Sequence, residues 1–171
     1  MQWVTRSRVR LDRAACAWLI LRHIDRHATI SYLDGPDLSE AIAEGALPFH
    51  NTTSEAPGQE ERTSFALLLA EYKLDQRDPA LALMDEMIHG AETKEPGAPA
   101  DAEGVRAIAK GMNALAEDDE DMVRRMLPVF DALYVYCARR VQGRRGWANA
   151  TPADDGVSPS APDAPDEAHD G

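Results

Sequence analysis

The sequence predicts an α+β fold, mostly helical, in which a small N-terminal α/β unit packs on a bundle of four to five helices. Three observations carry this. Strand-like and helical stretches alternate over the first 49 residues. Beyond residue 62 the apolar residues recur at helical spacings of three and four. From Ala14 to Leu21 every residue is apolar, so a helix there has no polar face in its middle and belongs inside the protein.

Taken in order, Gln2–Thr5 reads as a short strand that runs into a basic loop holding Arg6, Arg8 and Arg10. Asp12 is expected to cap a helix to about Ile24, because its carboxylate suits the unpaired amides of a first turn. Thr29–Leu33 reads as a second strand, stopped by Asp34-Gly35-Pro36; Asp37–Glu44 as a short helix; Ala46–Phe49 as a third strand. Together these make a βαβα-like unit. His50 to Arg62 is polar, contains Pro57-Gly58, and reads as a long loop. Thr63 or Ser64 then caps a helix to about Lys73. Asp78-Pro79 supplies N-cap and N1 for another that ends near Gly90. After a Pro/Gly-rich connector, Asp101 is expected to cap a helix through about Leu115. Asp118 to Asp121 opens the last one, with acidic residues that suit its N-terminal dipole. Met122, Met126, Phe130, Leu133 and Cys137 mark its core face, and Pro128 is expected to kink it.

Composition bounds the function classes. The formal charge is −12 over 171 residues, and six of those negative charges lie in residues 151–171, which contain no Lys or Arg. Periodicity ends after Trp147, so residues 1–147 read as one domain and 148–171 as a disordered acidic tail. A body at about −6 argues against a general nucleic-acid binder, which needs a cationic surplus to neutralise phosphates. No apolar run is long enough to span a bilayer, and the N-terminus has no secretory pattern. The expected location is the cytoplasm, where Cys16 and Cys137 would be thiols.

Two constellations are candidates for chemistry. The first is the basic entry to the first helix: Arg6, Arg8, Asp12, Arg13 and, a turn later, Cys16. Guanidinium forks suit tetrahedral oxyanions, a helix N-terminus adds amide donors, and the combined field would favour a thiolate at Cys16. The alternative is that Arg and Asp pair with each other and that Cys16 is a packed apolar residue. The second is on the helix from Pro79, where Asp85, His89 and Glu92 share one side, with Glu61 and Arg62 completing the site if the fold brings them near. Imidazole and carboxylates hold a transition metal, or His89 serves as a general base; the alternative is a solvated face. Arg139, Arg140, Arg144 and Arg145 fit a helix C-terminus on dipole grounds. His23, His27, Trp18 and Trp147 read as structural. No phosphate-binding glycine loop, nucleophile elbow or paired-cysteine zinc motif is present.

The opening WVTRSRVRLDRAACAWLILRHID resembles the start of the C-terminal domain of the ChrB chromate-resistance family, of the type TRxxxxxDRxxCxWLIxRxID. The likeness continues in order through GALPF, ERTSFALLLAEYKLDQRDP, MIHGAET, AEGVRAIAKGM and LPVFDALYVYC, from about Trp3 to Cys137. The resemblance implies a role in bacterial chromate resistance, and a stand-alone form without the N-terminal half of longer members. This chain departs from the family pattern in lacking a His in the loop before ERTSF, in having Thr63 where a Cys is common, and in having Glu92 where Asp is expected.

Three functions follow as expectations. The first is a sensing or binding domain with an oxyanion near the first helix N-terminus, in which Arg6, Arg8, Arg13 and Arg62 line one pocket with Cys16 and His89 close by. The second is a metal-dependent redox enzyme that uses His89 with Asp85, Glu92 or Glu61. The third is a non-catalytic module that binds a protein partner.

Overall fold

The computed structural model describes residues 1–49, 62–93 and 97–149. Strand β1 (Gln2–Arg6) leads into α1 (Leu11–Leu19), which ends in a π-helical turn, Ile20–Ile24. Strand β2 (Thr29–Leu33), α2 (Gly35–Ala43) and the short β3 (Leu47–Pro48) complete the N-terminal unit. Four helices follow: α3 (Ser64–Glu71), α4 (Pro79–Thr93), α5 (Asp101–Leu115) and α6 (Asp119–Asn149). The expected mostly helical α+β architecture is the one observed. The expected loop at 50–62 falls almost wholly outside the described residues, as does the tail from residue 150. The last turn of α6 runs past the expected domain edge at 147.

The sheet is parallel, in the order β2-β1-β3, with Trp3 beside Ile30 and Leu47. Central β1 buries Trp3, Val4 and Thr5, as a strand covered on both faces must. The apolar run of α1 explains the rest. Ala14 to Ile20 are all buried, and α1 touches α3, α4, α5 and α6. No single stripe of α1 faces the core, because helices surround it. The core face read on α6 is also present: Met122, Met126, Phe130 and Cys137 are buried. Pro128 does not break α6, which continues through it.

Three boundary expectations need correction, and each correction has a tertiary cause. Asp12 does not cap α1; the N-cap position is Arg10, which makes no side-chain cap, and Asp12 lies inside the first turn. Asp101 is likewise inside α5, and its Oδ2 accepts from Tyr136 OH (2.9 Å) and Arg140 Nη1 (2.7 Å) on α6. Gly90 does not end α4, which runs on to Thr93. Gly90 serves instead as a contact surface. A Cβ there would stand 2.6 Å from Ala98 Cβ and 3.2 Å from Ala102 Cβ. Gly90→Ala therefore sets a helix-propensity gain of about 1 kcal/mol against an overpacking cost of ~1–3 kcal/mol. The expected net effect is destabilising by about 1 kcal/mol, read as a lower urea midpoint at unchanged slope.

Candidate functional site

The N-termini of α1 and α3 and the middle of α4 converge, and carboxylates bind the free backbone amides at this junction. A helix N-terminus exposes amides that no earlier carbonyl can satisfy, and an anion there is doubly favoured by hydrogen bonds and by the dipole. Glu92, from the last turn of α4, accepts the Asp12 amide of α1 at 3.0 Å. Asp12 in turn accepts the amides of Ser64 (2.9 Å) and Phe65 (3.0 Å) at the start of α3. Thr63 caps the same helix locally, its Oγ1 accepting from Ala66 N at 3.2 Å, as the sequence predicts.

The loop between β1 and α1 follows the same rule. Asp119, at the start of α6, accepts the amides of Arg8 (2.9 Å) and Val9 (2.7 Å). Asp34 accepts from Ser7 N at 3.3 Å and also from Ser7 Oγ. Arg13 reaches back across the loop, donating to the carbonyls of Arg6 (2.8 Å), Ser7 (2.7 Å) and Arg8 (2.7 Å). These bonds hold Arg8 at φ +60°, a left-handed conformation that costs a non-glycine residue of order 1–2 kcal/mol.

The arginine cluster is real, but its members differ in role. Arg13 is half-buried and bonded to the loop, and burial pulls its guanidinium down, with Arg6 and Arg10 among the smaller causes. Arg6, Arg8 and Arg10 are exposed, and their guanidinium groups form no hydrogen bond or ion pair among the described residues. Arg62 is exposed at the foot of α3, close enough to Asp85 to lower its pKa. The amide of Asp12, expected to help an oxyanion, carries Glu92 instead.

Cys16 corrects the expectation of a thiolate. It is fully buried, and burial, then the neighbouring Asp12, push its thiol well above the ordinary range, outweighing Arg13. Burial pushes Cys137 up to about 11. Neither thiol should react with an aromatic disulfide reagent in the native protein at pH 7, and two should react after denaturation. A rapid native phase of one equivalent would restore the thiolate.

On α4, Asp85 and His89 stand one turn apart and half-buried. Burial raises the Asp85 carboxyl, while His89, Arg62 and a long bond from Thr63 Oγ1 (3.5 Å) pull the other way. Glu92 is turned to the Asp12 amide, and Glu61 lies outside the described residues. Among the described residues no group of three or more His, Cys, Asp or Glu is placed to hold a metal. The two candidate constellations are thus one region, joined by Asp12. Sequence reading missed the role of Asp119, whose only signal was an acidic first turn in the last helix.

The family model described as "ChrB, C-terminal domain" matches residues 3–137, and the chain belongs to that family. It is similar to Protein ChrB of Cupriavidus metallidurans (strain ATCC 43123 / DSM 2839 / NBRC 102507 / CH34), at 36% identity over 136 residues. That match covers 79% of this chain and 40% of the relative, so the chain spans about two fifths of its length. No solved structure matches the chain. Among the described residues no helix is long and apolar enough to cross a membrane.

Proposed function

We propose that this chain is a cytoplasmic ligand-responsive domain of a chromate-resistance system, holding an oxyanion at the arginine-rich loop before α1. Family membership supports the resistance role. The observation that carries the binding role is the set of exposed guanidinium groups on Arg6 and Arg8, held on a loop that Arg13 and Asp119 fix in a strained conformation. Arg62, at the foot of α3, is the further cation of this reading. A rigid loop that presents unpaired guanidinium forks loses little entropy when an anion binds. Cys16 lies beneath it as packing, and the response to the ligand is binding without thiol oxidation.

Calorimetric titration of chromate and of sulfate, a non-oxidising dianion of the same shape, at low ionic strength tests this. Arg6→Gln and Arg8→Gly should each weaken binding about tenfold, since a charge-assisted hydrogen bond contributes ~1.5–3 kcal/mol. Glycine suits the +60° backbone, so the second variant removes charge without loss of fold. Absence of saturable binding, or full affinity in both variants, overturns the reading.

A second reading rests on the adjacent Asp85 and His89, which with Glu61 would hold a transition metal and support redox chemistry. Elemental analysis of untagged protein beside His89→Ala decides it. Stoichiometric metal lost in the variant supports the enzyme, and no metal in either sample removes it.

A further inference from the structure

A cavity of about 360 Å³ lies between the start of α1, the last turn of α4 and the middle of α5. Its cations are Arg10, Arg106 and Lys110; Arg10 ends the arginine-rich loop, but the oxyanion reading above rests on Arg6, Arg8 and Arg62. Arg106 and Lys110 are four residues apart on α5 and so project from one side of it. Arg10 faces them from the N-cap position of α1.

The resident polar groups leave these cations underused. Glu92 lines the cavity, yet its Oε1 is directed to the Asp12 amide, and the Asn113 amide donates to the Val9 carbonyl at 3.2 Å. Arg106 pairs with Glu103 through Nη2, but its Nη1 is buried with no acceptor among the described residues. A buried donor without an acceptor is costly and uncommon in native proteins. Arg10 and Lys110 form no ion pair among the described residues.

The remaining lining decides the class of ligand. Leu11, Ala91 and Ala109 give an apolar floor, each at most 5% exposed. The volume is far more than four oxygens around one atom need. An apolar floor with a few converging polar groups is the usual form of a small-molecule site. We propose that this cavity binds a small organic anion, its phosphate or carboxylate head among Arg10, Arg106 and Lys110 and its apolar body over Leu11, Ala91 and Ala109. The site shares Arg10 with the end of the arginine-rich loop but does not depend on Arg6 or Arg8.

Calorimetry with phenyl phosphate and inorganic phosphate on the full chain tests the proposal. Phenyl phosphate should bind saturably and at least tenfold more tightly than inorganic phosphate. Arg10→Gln and Lys110→Gln, both at exposed positions, should each weaken it about fivefold or more while circular dichroism stays unchanged. Arg6→Gln and Arg8→Gly should leave it unaltered, which separates this site from the loop. No saturable binding, equal affinity for the two probes, or indifference to both cavity variants would overturn it.

Discussion

Trp18→Ala is expected to lower the unfolding free energy by ~3–5 kcal/mol, a large share of the total for a domain of this size. Trp18 is 1% exposed in the last turn of α1. Its ring meets Phe130 at 6.2 Å, Tyr134 at 5.9 Å and His23 at 5.1 Å between centroids. Its Nε1 donates to Asp131 Oδ1 at 2.7 Å, so the substitution removes a polar anchor as well as volume. Trp18→Phe separates the two effects and should cost ~1–2 kcal/mol, chiefly the lost hydrogen bond and a partial cavity. Urea unfolding followed by far-UV circular dichroism checks both. A loss below 1 kcal/mol for the alanine variant would mean that α1 is not the hub of the core. Asp131 would still be held by Arg22, whose Nε and Nη2 donate at 2.9 and 3.0 Å. That ion pair, more than Trp18, keeps its carboxyl below the ordinary range. The native state therefore binds the Asp131 proton less tightly than the unfolded chain does. Its stabilising contribution is present above the unfolded carboxylate pKa and is lost as pH falls through the depressed value.

The hub was legible because its signal is local and one-dimensional. Eight consecutive apolar residues leave a helix no polar side, whatever surrounds it, and the three strands announced themselves in the same way through short runs bounded by turn residues. What the sequence conceals is which acid serves which amide. Asp12, Asp101 and Asp119 each sit in the first turn of a helix, where local dipole rules account for them, and Glu92 reads as part of a helical side with Asp85 and His89. In the fold, Asp12 caps a helix that begins 52 residues later, and Glu92 reaches back 80 residues to α1. These pairings depend on how helices cross, which no spacing records. The same limit hid the α5 cavity. Arg106 and Lys110 are two cations four residues apart on α5, and only the fold brings Arg10 opposite them. Conversely, the arginine cluster was visible, but its division of labour was not. Arg13, half-buried on α1, finds three carbonyls of the preceding loop, whereas Arg8 stays exposed on that loop.

Asp12→Ala should be the most damaging polar substitution at the junction, at ~2–3 kcal/mol. Removing the carboxylate leaves the Ser64 and Phe65 amides of α3 without their acceptor, and each part-buried donor left unpaired costs ~1–3 kcal/mol before water compensates. The Thr63 cap on Ala66 remains, which bounds the loss from above. Asp12→Asn keeps one acceptor oxygen and gives up the charge facing the α3 dipole, so it should fall near half that cost. Amide exchange distinguishes this account from simple loss of a surface charge. Protection at Ser64 and Phe65 should drop, while α1 stays protected because Glu92 still holds the amide of residue 12. The functional consequence travels by the same route. Asp12 is the link that seats the foot of α3, and with it Arg62 and Thr63, against Asp85 on α4. A variant within 0.5 kcal/mol of the parent, with Ser64 and Phe65 as protected as before, would show that α3 is seated by its apolar face alone.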